Sequence, residues 1–323
     1  MIQLKTGLYF ISPNIINDNL IEFGETKVSI ISHGNNCAEI GVSSENSYIH
    51  EMTICADSLR SAEYIMDLVN SSFTVIESSI SFKKERLSSN LLYSMNIIQK
   101  YEPDDFTTTN KLQVCLGDDN LYYACKMASK AFNNVNDELA IFKYHLAHEI
   151  YPLYALALDP NNDEVTISHL PSEQLKFAYS IIDSYSILEE LGLEERANRD
   201  NPSTINNGTQ WNPSVIADLS KRLLANNIDP HYRIPWLVRG DLKRPFKNEL
   251  IMADDLCEWS DGEIIRDFNI EIIDAIFEVS FIRDKKCSHG VGERLYDLTI
   301  YDLDNAYTLI RNILLQRYKV PIC

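Results

Sequence analysis

Apolar side chains recur along this chain with two periods, and the change from one to the other divides it. Over residues 1 to about 57 they fall in short runs: Leu8-Tyr-Phe-Ile, Lys27-Val-Ser-Ile-Ile, Ala38-Glu-Ile-Gly-Val and Ile49-His-Glu-Met-Thr-Ile-Cys. Asn, Asp and Gly punctuate these runs, which is the pattern of strands joined by turns. From Ser58 the spacing lengthens, and Leu59, Ala62, Ile65, Met66 and Val69 share one helical face. A second helical stretch is expected around Leu87 to Tyr101, leading into the polar segment Glu102-Pro-Asp-Asp-Phe-Thr-Thr-Thr-Asn. Residues 1–117 thus read as an N-terminal mixed α/β unit. It holds no catalytic constellation, so sensing, regulation and scaffolding are all open roles. His33 and His50 in it read as ordinary loop or strand histidines.

Beyond Gly117 helical periods dominate, and residues 118–323 read as a mainly α-helical domain, giving an α+β chain. Leu121 to Phe132 and Glu138 to Tyr154 are predicted helices. A longer helix starts at Ser172, with Leu175, Ala178, Ile181, Ile182, Tyr185, Leu188 and Leu191 in register and Gly192 as its stop. Arg196 to Trp211 is polar and Asn-rich, an excursion inside this domain. Asn212-Pro213 supplies a cap and a first-turn proline for a helix through Val215, Leu219 and Leu223. Phe268, Ile272, Ile273, Ile276, Phe277, Val279 and Ile282 then recur at helical spacing, predicting one core helix from about Glu263 to Arg283, with Gly290 ending it. A last helix over about Leu303 to Arg317 carries the stripe Leu303, Ala306, Tyr307, Ile310, Ile313 and Leu314, suited to pack on it.

Composition narrows the setting. The 323 residues suffice for about two domains, each with its own core. Seven scattered cysteines without a CxxC pair point to a reducing, cytoplasmic compartment and against a disulfide framework or zinc module. The N-terminus lacks a basic segment followed by an apolar one, and no run reaches membrane-spanning length, so no membrane association is expected. Asn70-Ser-Ser and Asn207-Gly-Thr match the glycosylation pattern by chance in that setting. The net charge of −18 argues against indiscriminate nucleic-acid binding, so any RNA must be held by a local patch. Neither a Walker loop nor a GxGxxG fingerprint is present, which argues against a nucleotide-driven motor or a Rossmann enzyme.

Three places carry candidate chemistry. His145 and His148 stand three apart on a predicted helix, a spacing that can hold a metal. The order His-Leu-Ala-His-Glu matches neither metalloprotease motif, and packed helix histidines are the favoured reading. The run from His231 to Lys247 holds five Lys or Arg residues against one acid, Arg239, Lys243 and Arg244 among them, interleaved with Tyr232, Trp236 and Phe246. Such a run suits an RNA backbone and base stacking, or equally a solvated loop whose cations pair with the protein's carboxylates. The third place is Phe281-Ile-Arg-Asp-Lys-Lys-Cys-Ser-His289-Gly290, where an apolar helix ends in Arg283, Asp284 and, with five residues between it and the arginine, His289.

That third segment resembles the signature of the HEPN superfamily, an Arg followed by Asn, Asp or His and then, a few residues on, by a His. The resemblance implies a HEPN-like helical bundle, usually a homodimer, whose active members cleave RNA without a metal or other cofactor in a site composed across the dimer. On this expectation Arg283 binds and polarises the phosphate, His289 is general acid or base, and Asp284 orients one of them. Lys285, Lys286 and Arg294 would add local positive potential. The family's toxins stop translation during phage infection or stress, implying an RNA partner, tRNA among the candidates, and a regulatory partner or phage-derived trigger. Where one toxin subfamily carries a modified Tyr after the His, Val291 stands here. The alternative is a non-catalytic helical dimer that binds RNA, a nucleotide or a partner protein. In residue terms an Arg at a helix C-terminus is also favoured by the helix dipole alone.

Overall fold

The computed structural model describes residues 2–6, 11–12, 19–33, 48–77, 120–151, 171–205, 210–239, 251–258, 264–287, 298 and 300–320. The chain separates into two compact units, Met1–Phe142 and Lys143–Cys323.

In the first unit β1 (Ile2–Thr6), β2 (Ile11–Ser12), β3 (Asn19–Phe23), β4 (Thr26–His33) and β5 (Tyr48–Ala56) form one antiparallel sheet of order β1-β5-β4-β3, with β2 beside β5. Strand alternation sets its inner face: Ile21, Phe23, Val28, Ile30, Met52, Ile54 and Ala56 are buried. Across β4 and β5, Val28 faces Ile54 and Ile30 faces Met52, so apolar pairs fix the register. The β3–β4 hairpin turns on Gly24 and Glu25, and Gly24 has φ +59°, the conformation a two-residue turn asks of its first residue. Two helices cover this face, α1 (Leu59–Glu77) and α2 (Asn120–Ala131). Ser58 starts α1 by accepting a hydrogen bond from the Ser61 N–H at 3.1 Å. On α2, Cys125 Sγ lies 3.4 Å from Met52 Sδ, and Ser129 Oγ donates to the Glu22 carbonyl at 2.6 Å. By packing, α2 therefore belongs to the first unit. The division expected at 117/118 lies outside the described residues, and the compact units divide inside α3 (Val135–Ile150).

The second unit is also mixed. Besides the end of α3 it holds α4 (Pro171–Glu190), α5 (Pro213–Ala225), α6 (Ile272–Ile282) and α7 (Ile300–Tyr318). A short ladder pairs β6 (Thr204–Ile205) with β7 (Gln210–Trp211), and a three-stranded antiparallel sheet of order β8-β10-β9 comprises β8 (Arg233–Arg239), β9 (Ile251–Glu258) and β10 (Ile264–Glu271). This corrects the single core helix expected from Glu263 onward. Residues 264–271 are strand, with Phe268 opposite Trp236 on β8 and Met252 on β9, and the helix begins only at Ile272. The four-residue step from Phe268 to Ile272 fits both a helix and an even-numbered strand face, and strand pairing decided between them.

Helix α6 is the centre of this unit. Ile272, Ile273, Ala275, Ile276, Phe277, Val279 and Ile282 are buried, along with polar Asp274 and Ser280. A helix buried nearly all round needs its polar groups paired internally. The first N–H groups of Ile272 and Ile273 donate to the carbonyls of Tyr232 and Pro230, and Asp274 accepts from the Trp211 indole at 2.7 Å. That last bond ties the polar 196–211 excursion back to the core, and Trp211 also meets Phe277 edge-on. The stops and caps read from sequence are in place. At the end of α4, Gly192 has φ +66° and the Leu193 N–H returns to the Leu188 carbonyl at 2.7 Å. Asn212 caps α5, with Pro213 at its first turn.

Seven α-helices and antiparallel strands thus make the described residues a mixed α/β fold. None of these helices is long and apolar enough to cross a membrane. The expected strand over Ala38–Val42 and the helix around Leu87 to Tyr101 lie outside the described residues.

Candidate functional site around Arg283

The end of α6 does not stop at the arginine. Arg283 has φ −54° and ψ −51°, and the backbone continues through Arg283–Cys287 as a π turn. Such a turn inserts an extra residue per winding and re-aims the side chains on it, a geometry common at functional positions. Its neighbours are α4 and α6. The Arg283 guanidinium lies over the Tyr185 ring, 4.0 Å from its centroid, held by cation–π attraction. Two carboxylates meet it: Asp284 Oδ1 at 2.9 Å from one terminal nitrogen and Glu189 Oε1 at 3.4 Å from the other. The Arg283 side chain is 27 % exposed, enough for a ligand to reach it.

A third carboxyl stands behind this pair. Ser280 Oγ donates to Glu195 Oε1 at 3.0 Å, and burial pushes the Glu195 carboxyl above its ordinary range despite that bond. Burial also raises Tyr185, whose role here is a flat platform rather than an acid. Tyr185 and Glu189 are four apart on α4 and so share a face, but the sequence holds no local sign that this face meets Arg283. Neither they nor Glu195 and Ser280 were among the sequence candidates.

The other expected residues divide. Lys286 pairs with Asp302 of α7 at 3.0 Å, so its charge is answered within the fold. For Lys285 only the backbone, on the π turn, is described. Cys287, next after Lys286, is buried, and burial pushes its thiol up to about 12, which leaves it unreactive near neutrality. Arg239 closes β8 opposite Ile265. His289, Arg294, Lys243 and Arg244 lie outside the described residues, as does Gly290.

Base stacking by the 231–247 run needs correction at its best aromatic. Alternation along β8 turns Ile234 and Trp236 inward, and Trp236 is only 2 % exposed, so its ring is core. At the start of the same strand, exposed His231 is oriented by Glu271, whose Oε2 is 2.7 Å from Nδ1 and holds the imidazole above its usual pKa. The helix histidines are packed. His148 stacks on Tyr307 at 3.9 Å between centroids, and burial lowers His145 to about 4. Among the described residues no cluster of His, Cys, Asp and Glu is arranged to hold a metal.

Chemically, the Arg283 surroundings are a guanidinium laid over Tyr185 and met by two carboxylates, one at each terminal nitrogen. A phosphate gripping both terminal nitrogens would compete with those carboxylates. Compared with protein-family models, curated proteins and solved structures, the chain matches none.

Proposed function

We propose that this chain is a metal-independent endoribonuclease of the HEPN kind, acting as a homodimer in which two Arg283–His289 segments form one composite site. RNA carries its own nucleophile, so the protein must manage protons and charge. His289 takes the 2′-OH proton, the 2′ oxygen forms a bond to phosphorus, and the P–O5′ bond breaks as a proton reaches the leaving 5′ oxygen. Arg283 binds the phosphorane oxygens, whose charge grows in the transition state. The products are a 2′,3′-cyclic phosphate and a 5′-OH. The observation that supports this reading most is the guanidinium itself: it is partly exposed, flattened on Tyr185, and carried by a π turn at the end of a buried helix. A role as a toxin that arrests translation on a phage or stress signal, with the first unit as sensor, rests on the family resemblance alone.

Arg283→Ala and His289→Ala should each lower cleavage of a single-stranded RNA by about 100-fold or more, and relieve toxicity on expression. If wild-type protein cuts no RNA as a dimer, or if the variants cut and poison equally well, the catalytic reading is wrong. The carboxylates on Arg283 favour one second reading, a helical dimer that binds RNA, a nucleotide or a partner protein without cutting. That reading predicts unchanged ligand affinity in His289→Ala.

A further inference from the structure

Resting on the RNA-cleavage reading, we infer that Glu189 is an internal gate on Arg283: its carboxylate occupies the place of a substrate phosphate, and RNA engages the arginine only by displacing it. Glu189 and Asp284 each present one oxygen to a different terminal nitrogen of the guanidinium, the two-point grip a phosphodiester would make. The two carboxylates are not equivalent. Asp284 is the next residue on the π turn and moves with the arginine. Glu189 comes from a separate helix, its side chain is 50 % exposed, and its contact is the longer at 3.4 Å. It is therefore the group that can swing into solvent at small cost.

Tyr185 makes the exchange possible without loss of the site. Four residues before Glu189 on the same helix face, it is nearly fully buried and holds the guanidinium plane from below. When Glu189 leaves, the arginine keeps its orientation. Glu195 cannot take over the gate, because its carboxyl is bound by Ser280 and set back in the fold. Placing the gate on α4 and the arginine on the π turn also means that any signal shifting one against the other changes how freely RNA reaches Arg283. An exposed ion pair is weak in water, so the gate throttles access rather than abolishing it, by roughly threefold to fivefold.

The test uses the full-length chain and a labelled polyuridylate RNA, read by anisotropy for binding and by gel for cleavage. Glu189→Gln keeps size and polarity but removes the charge. It should bind this RNA about threefold to fivefold more tightly than wild type, and the gain should vanish when Arg283→Ala is added. Unchanged affinity in Glu189→Gln overturns the gate, as does an equal gain in the Arg283→Ala background, which would be general relief of repulsion. In both cases a loss of RNA in Arg283→Ala alone leaves the cleavage reading standing. If Arg283→Ala binds and cuts as wild type, or no variant engages RNA, that reading and the gate fall together.

Discussion

Single side chains in this protein are tuned mostly by burial, and two of them pull stability in opposite directions with pH. His145 is buried on α3 and lowered to about 4, from an ordinary 6.5. Above 6.5 both folded and unfolded forms are neutral there, and nothing is lost. Between 6.5 and 4 the unfolded chain binds a proton that the folded one refuses, so stability falls as pH falls, by about 3 kcal/mol in all. His145→Gln should flatten that decline in urea titrations run across the window. Asp304 behaves in the reverse sense. Burial pushes its carboxyl up to about 7, so the folded chain retains a proton that the unfolded one releases, and stability is lost as pH rises toward 7. Asp304→Asn should raise the melting temperature at pH above about 7 and change it little near pH 4. A variant that melts as wild type at both pH values would show that this carboxyl is better solvated than its surroundings suggest.

Elements of the second unit are held by polar bonds that apolar patterns do not reveal. β8 is an edge strand, and its outward backbone groups would be open to another chain. Two residues close it. Pro235 has no N–H to offer, and buried Asn305 of α7 pairs with Leu237 as another strand would, accepting from its N–H at 2.9 Å and donating to its carbonyl at 2.7 Å. Asn305→Ala leaves two half-buried backbone groups unsatisfied and should cost about 2 to 4 kcal/mol in chemical denaturation. Asn305→Asp, which keeps the acceptor and loses the donor, should fall between. Equal stability of all three would mean that water replaces the bonds freely. The same logic explains the run at 264–282. Ile264, Phe268, Ile270 and Ile272 fit a strand, and Ile272, Ile276 and Val279 fit a helix, so the junction at Glu271 is set by the partners each half meets.

At the scale of the whole molecule, and on the proposed ribonuclease reading, the net charge of −18 restricts RNA to a local patch. Among the described residues, Lys286 is already paired with Asp302 and the Trp236 ring is core. With about three phosphates neutralised, RNA affinity should fall with salt at a log–log slope of about −2. A much steeper slope, measured by titration across ionic strengths, would point to an extended basic surface elsewhere on the chain.

The fold was readable from the chain wherever a local rule governs it. Glycine at 192 and the Asn212-Pro213 pair mark helix ends because capping is a contact between near neighbours. The strands around Val28 to Ile30 and Met52 to Ile54 were legible as short apolar runs for the same reason. Arg283 and Asp284 were likewise visible as a pair, being adjacent. What the tertiary structure alone decided is non-local: that 264–271 pairs as a strand, that Trp236 is buried, and that Arg283 meets Tyr185 and Glu189 from a helix ending nearly a hundred residues earlier. Sequence patterns record what a segment can bury and how it can be capped. Which partner it buries against, and which charge answers its arginine, is settled only when distant segments compete for the same surface.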